Sequence, residues 1–292
     1  MTAPVILDID HSTGPLPHAV ALPLGEWQEA LRFGCSLRVM NRFRRALDRM
    51  LPVGHGTALL GSGDFHHLTW PLVERVRVPG AFQVVVLDNH PDNMRYPFGV
   101  HCGSWVRRVT MLPLVSHVHV VGITSADLGA AHAWEHYRGP LRAGRLSYWS
   151  VGGDVGWATR AGLGHAFRVF DDPERLVQAF AEAQRHAPRP TYLSIDKDVF
   201  APEVVRTNWD QGCFRLAHAM SLIDSLRAGG VVGSDITGEI SAYRYRSWLK
   251  RRLAALDAQP EVDERELPRW REQQHAVNVQ LLRAIGGVRL LP

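Results

Sequence analysis

The stretch that most constrains this chain is Asp88-Asn89-His90-Pro91-Asp92, which directly follows the apolar run Phe82–Leu87. The run is short and rich in β-branched residues, and Pro79-Gly80 precedes it, so we interpret it as a buried strand of a parallel sheet. Potential metal ligands then stand at alternate positions where the strand ends. In open α/β sheets, ligands and catalytic groups collect at the carboxyl ends of the strands. The stretch therefore indicates a metal site, and the competing interpretation is a polar turn with incidental carboxylates.

Two further apolar runs end in the same kind of residue. Residues 191–195 lead into Asp196-Lys197-Asp198, and residues 57–60 lead through a glycine turn into Asp64-Phe65-His66-His67. Buried carboxylates are costly unless they are paired or bound to a metal. Three strand ends that each carry Asp or His are difficult to explain by packing, and a dinuclear metal site is the simplest common cause.

The order of these blocks resembles the ureohydrolase family, which includes arginase, agmatinase and formiminoglutamase. The blocks are a Gly-Asp-His-like turn near residue 66, Asp-x-His-x-Asp at 88–92 and Ser-x-Asp-x-Asp at 194–198. They lie in the family's order between Gly61 and Glu239, so the chain resembles a divergent member. The resemblance implies an arginase-like three-layer α/β fold, in which a mostly parallel central sheet carries helices on both faces.

The same resemblance implies two Mn²⁺ ions per chain. The ligands so implied are, for one ion, His66, Asp88, Asp92 and Asp196, and, for the other, His90, Asp88, Asp196 and Asp198. Asp88 and Asp196 would bridge the two ions. Oxygen-rich ligation with two imidazoles suits Mn²⁺, or another hard divalent ion, better than a metal that prefers thiolates.

The sequence leaves open which of two neighbouring histidines in the first block is the metal ligand. Ureohydrolases usually have Gly-Gly-Asp-His, then a small residue and Leu, whereas this chain has Gly-Asp-Phe-His-His-Leu, which is one residue longer. Alignment on Leu68 makes His66 the ligand and His67 its neighbour. An inserted residue on a turn can nevertheless swing either imidazole inward.

Three residues are implied in catalysis: Asp92, His101 and Glu239. In the family, two divalent ions supply a bridging hydroxide at neutral pH, and Asp92 would orient it. His101 lies in a glycine-flanked loop where an imidazole of ordinary pKa would protonate the departing nitrogen; a solvated loop histidine is the alternative. Glu239 would contact a cationic substrate, but it stands four residues past Asp235 where the family usually has three, so a capping role stays open.

These residues predict a dinuclear-manganese hydrolase that cleaves a C–N bond of a guanidino, amidino or amide small molecule. Bulky residues follow the Asp-x-His-x-Asp block, and Arg95 among them favours a carboxylate-bearing substrate or is a surface charge. Arginine itself is therefore less expected as the substrate. The alternatives are a single-metal deacetylase-like amidohydrolase of the same fold and a degenerate, non-catalytic arginase-like binding protein. A metallophosphoesterase would normally carry Gly-Asn-His, which this sequence lacks.

The composition fits one large α/β domain over residues 1–292, with 46% hydrophobic and 21% charged residues. The net charge is +4 and the arginines are scattered, which does not indicate nucleic-acid binding. Three cysteines far apart favour a reducing compartment, and neither a signal peptide nor a membrane span is recognisable. We therefore expect a cytoplasmic protein with no membrane partner, and by analogy with the family a homo-oligomer.

Hydrophobic periodicity also predicts the elements around the site. Helices are predicted over residues 26–50, 67–76, 103–109, 125–137, 172–186 and 215–228, and in a tail from Ala242 to about Ile285 with interruptions near Pro260 and Pro268. The helix over 103–109 would place Trp105 and Arg107 near the opening of the site. Residues 8–11, which follow the first strand, are expected to form a polar loop near the mouth of the site.

Overall fold

The computed structural model describes residues 2–248, 250–252, 262–263 and 265–288. The strands are β1 (Val5–Asp8), β2 (Val20–Pro23), β3 (Gly34–Cys35), β4 (Ala58–Leu59), β5 (Phe82–Leu87), β6 (Val100–His101), β7 (Val115–Ile123), β8 (Leu146–Val151), β9 (Phe167–Phe170), β10 (Thr191–Asp196) and β11 (Val231–Thr237). Nine of them form one parallel sheet in the order β2-β1-β4-β11-β10-β5-β7-β8-β9. The other two, β3 and β6, form a small antiparallel sheet.

The α-helices within the described residues are α1 (Gln28–Leu31), α2 (Leu37–Met50), α3 (Thr69–Glu74), α4 (Val106–Thr110), α5 (Arg138–Arg142), α6 (Gly156–Arg160), α7 (Pro173–His186), α8 (Leu216–Ser225) and α9 (Leu267–Val288). Short 3-10 turns also occur at the ends of several strands. Two of these turns, Gly63–Leu68 and Lys197–Val199, carry residues of the predicted metal site.

Helices cover both faces of the large sheet. In β5, Val84 and Val86 belong to one hydrophobic core and Val85 and Leu87 to the other, because successive side chains of a strand point to opposite faces. Residues of α2, α3 and α4 fill the first core, and residues of α7, α8 and α9 fill the second. The predicted α/β class, with a parallel central sheet between two helical layers, is confirmed.

The helix predicted over residues 26–50 is wrong as one continuous element. Its first part is a 3-10 turn followed by the four-residue α1, and Phe33 then has a left-handed φ of 66°. Gly34 pairs with His101 in the small sheet, where a Cβ at Gly34 would lie 2.6 Å from the Cβ of His101. Helix α2 starts afresh, with Ser36 Oγ accepting a hydrogen bond from Val39 N. The break brings Phe33 beside the predicted site.

The predicted C-terminal helix is confirmed in its later part only. Residues 242–247 are not helical, whereas Leu267–Val288 form α9. Pro268 does not interrupt this helix because it lies in the first turn, where its missing N–H costs no intrahelical hydrogen bond. The interruption predicted near Pro260 lies outside the described residues. Within the part of the chain that is described, none of the helices combines the length and the apolar character that a membrane crossing requires.

The predicted metal-site residues follow three of four neighbouring strands. Strands β4, β11, β10 and β5 lie side by side near the middle of the sheet and all run in the same direction. Their carboxyl ends therefore meet at one edge. The polar blocks that follow β4, β5 and β10 are brought together there, although more than a hundred residues separate the second block from the third.

Candidate metal and active site

The first group of converging side chains is His66, Asp88 and Asp92, all of them buried. His66 Nδ1 lies 2.9 Å from Asp92 Oδ2, 3.3 Å from Asp88 Oδ2 and 3.4 Å from Asp196 Oδ2. One ring nitrogen thus faces three carboxylates. All four ligands that the resemblance implies for the first ion lie together.

The second group is Asp88, His90 and Asp198. His90 Nδ1 lies 3.0 Å from Asp198 Oδ2 and 3.6 Å from Asp88 Oδ1. Asp88 therefore uses one oxygen toward each group, as expected of a bridging carboxylate. The two groups form one continuous site at the edge of the sheet.

Four carboxylates in this small buried space repel one another when all are charged. Burial, reinforced by the charge of Asp88, raises the pKa of Asp92 to about 7 and that of Asp198 to about 7. Burial and the neighbouring Asp198 raise the pKa of Asp196 well above its usual value. Although burial favours the neutral form of Asp88 as well, hydrogen bonds from His66 and His90 lower its pKa. A bound cation would relieve this repulsion.

The donor atoms fit a metal. Carboxylate oxygens and two imidazole nitrogens are ligands that hard and borderline divalent ions accept, and the two groups contain no thiolate. Both histidines face the carboxylates through Nδ1. The described residues therefore form a candidate metal site.

His66 rather than His67 faces the carboxylates. The ring of His67 is fully buried, and neither of its nitrogens has a hydrogen-bond partner among the described residues. Burial, and then the nearby His101, lowers the pKa of His67 well below the usual value, so the ring is neutral. Of the two histidines that the sequence left open, the geometry favours His66 as the ligand.

A chain of hydrogen bonds fixes the orientation of His66. Its Nε2 lies 3.0 Å from Ser194 Oγ, and that hydroxyl donates to Asp235 Oδ1 over 2.7 Å. Tyr192 OH donates to the other oxygen of Asp235 over 2.6 Å. Since the hydroxyl of Ser194 donates its hydrogen bond to Asp235, its oxygen accepts a hydrogen bond from His66 Nε2–H, which leaves Nδ1 free to bind a cation.

Asp210 does the same for His90, and sequence reasoning missed it. Asp210 Oδ1 lies 2.7 Å from His90 Nε2, and Oδ2 accepts a hydrogen bond of 3.1 Å from Asn89 Nδ2. Asp210 lies in the loop between β10 and α8. The acidic residue itself was the only sign of this role in the sequence, and no neighbouring residue indicated that it contacts His90.

Trp105 lies beneath the site and not at its opening. Its side chain is fully buried, its Nε1–H donates a hydrogen bond of 2.5 Å to Asp92 Oδ2, and its ring lies 4.8 Å from that of His66. Arg107 lies 4.4 Å over the ring of Tyr137 and does not line the cavity. The expectation that both residues lie near the opening is corrected, because the turn at 102–104 directs Trp105 inward.

His101 lines the cavity and is almost fully buried. Its ring stacks on Phe33 at 5.7 Å and meets the edge of Tyr96 at 4.4 Å. Burial lowers the pKa of His101 to about 4, so the ring is neutral near pH 7 rather than having the ordinary value expected from the sequence. Its Nδ1 accepts a hydrogen bond of 3.0 Å from Gly103 N, which places the proton of the neutral ring on Nε2.

Glu239 is held away from the cavity wall. Its Oε1 lies 2.7 Å from Lys197 Nζ and accepts a hydrogen bond of 2.6 Å from Asn278 Nδ2, while its Oε2 is buried without such a partner among the described residues. Lys197 and Glu239 are both buried. Glu239 is thus the one predicted site residue that does not line the cavity.

The loop at residues 8–11 also differs from its expected place at the mouth. Asp10 is buried, and its Oδ2 lies 3.5 Å from Arg32 Nη1. Arg32 Nε in turn lies 3.1 Å from Asp64 Oδ2. Asp10 thus takes part in an ion-pair network behind the turn that carries His66.

An open cavity of about 550 Å³ leads from the surface to the two groups of ligands. Aromatic side chains of Phe33, Tyr96 and Trp209 form part of its wall. Charged side chains line it too, and apart from the predicted metal ligands they are Arg95, Asp127, Glu135 and Asp210. The wall of the cavity is therefore partly aromatic and partly charged.

Comparison with known proteins shows what this fold resembles. No family model matches the sequence. An uncharacterised protein of Thermotoga maritima is 28% identical over 193 residues, which are 66% of this chain and 62% of that protein. The chain therefore matches less than two thirds of that relative's length.

Solved structures agree over nearly the whole chain, although their sequence identity is low. Proclavaminate amidino hydrolase from Streptomyces clavuligerus is 16% identical with a TM-score of 0.56, over 99% of this chain and 93% of that one. Arginase from Bacillus caldovelox is 12% identical with a TM-score of 0.54, over 100% of both chains. Formiminoglutamase of Trypanosoma cruzi, solved with Mn²⁺, is 14% identical with a TM-score of 0.52, over 87% of this chain and 73% of that one. The chain has the arginase-like fold.

Proposed function

We propose that this protein is a metal-dependent hydrolase that cleaves a C–N bond of a guanidino, amidino or amide compound and binds two Mn²⁺ ions per chain. The observation that carries the proposal is the pair of ligand groups that share Asp88 at the bottom of an open cavity. The Mn²⁺ in the similarly folded T. cruzi formiminoglutamase supports the choice of metal.

The first ion would be held by His66, Asp88, Asp92 and Asp196, and the second by His90, Asp88, Asp196 and Asp198. Divalent ions bound in this way polarise a substrate and make water acidic enough to react near neutral pH. The chain's own contribution is orientation. Ser194 and Asp210 hold the two rings so that each presents Nδ1, and Trp105 holds one oxygen of Asp92.

His101 would act as a hydrogen-bond donor to the substrate. Because Gly103 N–H occupies its Nδ1, the proton of the neutral ring is on Nε2. A neutral imidazole can donate that hydrogen bond to a departing nitrogen without carrying charge into the buried wall. Phe33 and Tyr96 pack on the ring and fix its direction.

The walls of the cavity support a substrate with a planar polar group. The ring of Trp209 lies beside that of Phe33 at 6.4 Å, with the two planes inclined by 18°. Guanidinium and amide groups are flat and stack well on such rings. We also propose that the substrate is a small molecule and that the protein is a cytoplasmic homo-oligomer of single-domain chains.

The test begins with the metal content of protein purified without chelator, by elemental analysis, before and after reconstitution with Mn²⁺. We expect two manganese ions per chain and release of urea, formamide or ammonia from a panel of guanidino, formimino and amide compounds. The double variant Asp88→Ala/Asp196→Ala should lose both metal and activity, whereas Asp171→Asn, an exposed carboxylate far from the ligands in sequence, should keep both.

The alternatives give different results in the same experiment. One metal ion per chain would favour a deacetylase-like amidohydrolase of this fold. No metal after reconstitution would favour a non-catalytic binding protein. A double variant that keeps its metal and activity would refute the assignment of the ligands.

A further inference from the structure

We propose that Asp210 is the carboxylate that binds the cationic group of the substrate. The inference rests on the proposed function, because it names a specificity-determining residue of the same cavity. It also moves to Asp210 the role that the sequence suggested for Glu239.

A guanidinium or amidinium group loses water when it enters the cavity, and a carboxylate must replace that solvation. Glu239 is badly placed for this role, since Oε1 is already occupied by the ammonium of Lys197 and the amide of Asn278, and Oε2, which has no hydrogen-bond partner among the described residues, is buried. Nor does Glu239 line the cavity.

The cavity offers few other carboxylates. Asp88, Asp92, Asp196 and Asp198 are the proposed metal ligands, which leaves Asp127, Glu135 and Asp210 among the described residues. Of these three, Asp210 is the one in direct contact with a ligand residue, through the 2.7 Å contact with His90. A cation bound to Asp210 would therefore lie next to the metal site.

Asp210 has the accessibility that this role requires. About two thirds of its side chain is exposed, at 65%. Oδ1 accepts from His90 and Oδ2 from Asn89, and each carboxylate oxygen can accept a second hydrogen bond. The remaining positions can bind two N–H groups of one planar cation, as carboxylates do with guanidinium groups.

The neighbouring residue supports a flat cation at this position. Trp209 precedes Asp210 and lines the same cavity. A cation held by Asp210 can stack on or beside this ring, which adds attraction to the ion pair. Residues 209–210 together thus provide a ring and a charge on one side of the cavity.

The test uses Mn²⁺-loaded protein and two probes of nearly equal shape, methylguanidinium chloride and neutral N-methylurea. Binding is measured from the relaxation that bound Mn²⁺ causes in the methyl protons of the probe. In Asp210→Asn we expect the affinity for methylguanidinium to fall by about tenfold or more, since a hydrogen bond to a charged group is lost. The affinity for N-methylurea should change less than about twofold, because that probe carries no charge.

Two further variants separate this role from others. Asp127→Asn removes another carboxylate that lines the cavity but is not one of the proposed ligands, and it should leave both affinities within about twofold of wild type. The Asn side chain at 210 keeps an oxygen that can accept from His90 Nε2, so Asp210→Asn should retain its Mn²⁺. Asp210→Ala removes that acceptor as well and should also bind Mn²⁺ more weakly.

Several results would overturn the assignment. The assignment is wrong if Mn²⁺-loaded Asp210→Asn binds methylguanidinium as tightly as wild type does, or if it loses affinity equally for both probes. It is also wrong if Asp210→Asn loses its Mn²⁺, because Asp210 would then only support His90. A specific loss in Glu239→Gln, with none in Asp210→Asn, would return the role to Glu239. In each of these cases a wild type with two Mn²⁺ and C–N hydrolysis would leave the proposed function intact, whereas a wild type without Mn²⁺ would overturn both.

Discussion

The indole Nε1–H of Trp105 donates a hydrogen bond of 2.5 Å to Oδ2 of Asp92, the same oxygen that lies 2.9 Å from His66 Nδ1. The backbone of the next residue also holds Asp92, because Val106 N donates to Asp92 O over 3.0 Å. Asp92 itself has a left-handed φ of 46°, a conformation that costs energy for a residue with a Cβ. The start of α4 therefore fixes both the backbone and the side chain of a candidate ligand.

Replacing Trp105 with Phe should weaken Mn²⁺ binding at the group that contains Asp92. The ring is largely kept but the N–H is lost, and loss of a partner that orients a ligand typically costs about 10–100-fold in metal affinity. Calorimetric titration with Mn²⁺ should show one weakened and one nearly unchanged site. Trp248→Phe, at an exposed position, serves as the control. Equal weakening of both sites would indicate general damage to the fold.

Replacing Asp235 with Asn should also weaken binding, through His66. Asp235 is fully buried and accepts hydrogen bonds from Tyr192 and Ser194, so an amide there would disturb the hydroxyl that orients His66. We expect a loss of about 10–100-fold in Mn²⁺ affinity, with a smaller loss in Ser194→Ala, where water can replace the hydroxyl. Calorimetric titration of both variants with Mn²⁺ measures these losses, and Asp224→Asn, at an exposed position, is the control. Wild-type affinity in Asp235→Asn would contradict it.

Lys197 and Glu239 should depend on each other for stability. Both are buried and form an ion pair of 2.7 Å, so Lys197→Met leaves an uncompensated carboxylate and should destabilise the fold by about 3–5 kcal/mol. Glu239→Gln should be comparably harmful, and the double variant should be less harmful than the two single effects added together. Urea unfolding of the four proteins measures this coupling. Additive effects would mean that the pair contributes no net attraction.

The buried neutral ring of His101 should make stability sensitive to acid. Its pKa falls from about 6.5 in the unfolded chain to about 4 in the folded one. The unfolded state therefore binds the proton first, and the stability present above pH 6.5 is lost as the pH falls toward 4, by at most about 3 kcal/mol. Urea unfolding of wild type and His101→Phe across this range should show a steeper decline in wild type. Parallel curves would indicate that the ring titrates normally.

The strands that precede the candidate ligands follow from local sequence, and for that reason they could be predicted. Phe82–Leu87 is a strand with the expected bounds, because a short run of buried β-branched residues has few other conformations. The interruption at Phe33 was not predicted, since the helical spacing of its neighbours continues through it. Its cause is the pairing of Gly34 with His101, which lies far away in the sequence.

Within the site, the candidate ligands were easier to predict than the residues that support them. Asp88, His90 and Asp198 belong to recognisable motifs, whereas Asp210 and Trp105 are recognisable only by the atoms they bind in the folded chain. Glu239 shows the opposite case. Its position in the motif suggested a substrate contact, but Lys197, placed between two candidate ligands, holds its carboxylate.

The order of the central strands has a consequence for how the protein is made. Strand β10 lies between β5 and β11, so Asp196 and Asp198 join His66 and Asp88 only after about two thirds of the chain has left the ribosome and β10 has paired with β5. Before that moment the growing chain holds only half of the proposed carboxylate ligands. Metal capture should therefore be a late event in biosynthesis, coupled to closure of the sheet, and a chain that stalls before residue 196 should bind Mn²⁺ weakly.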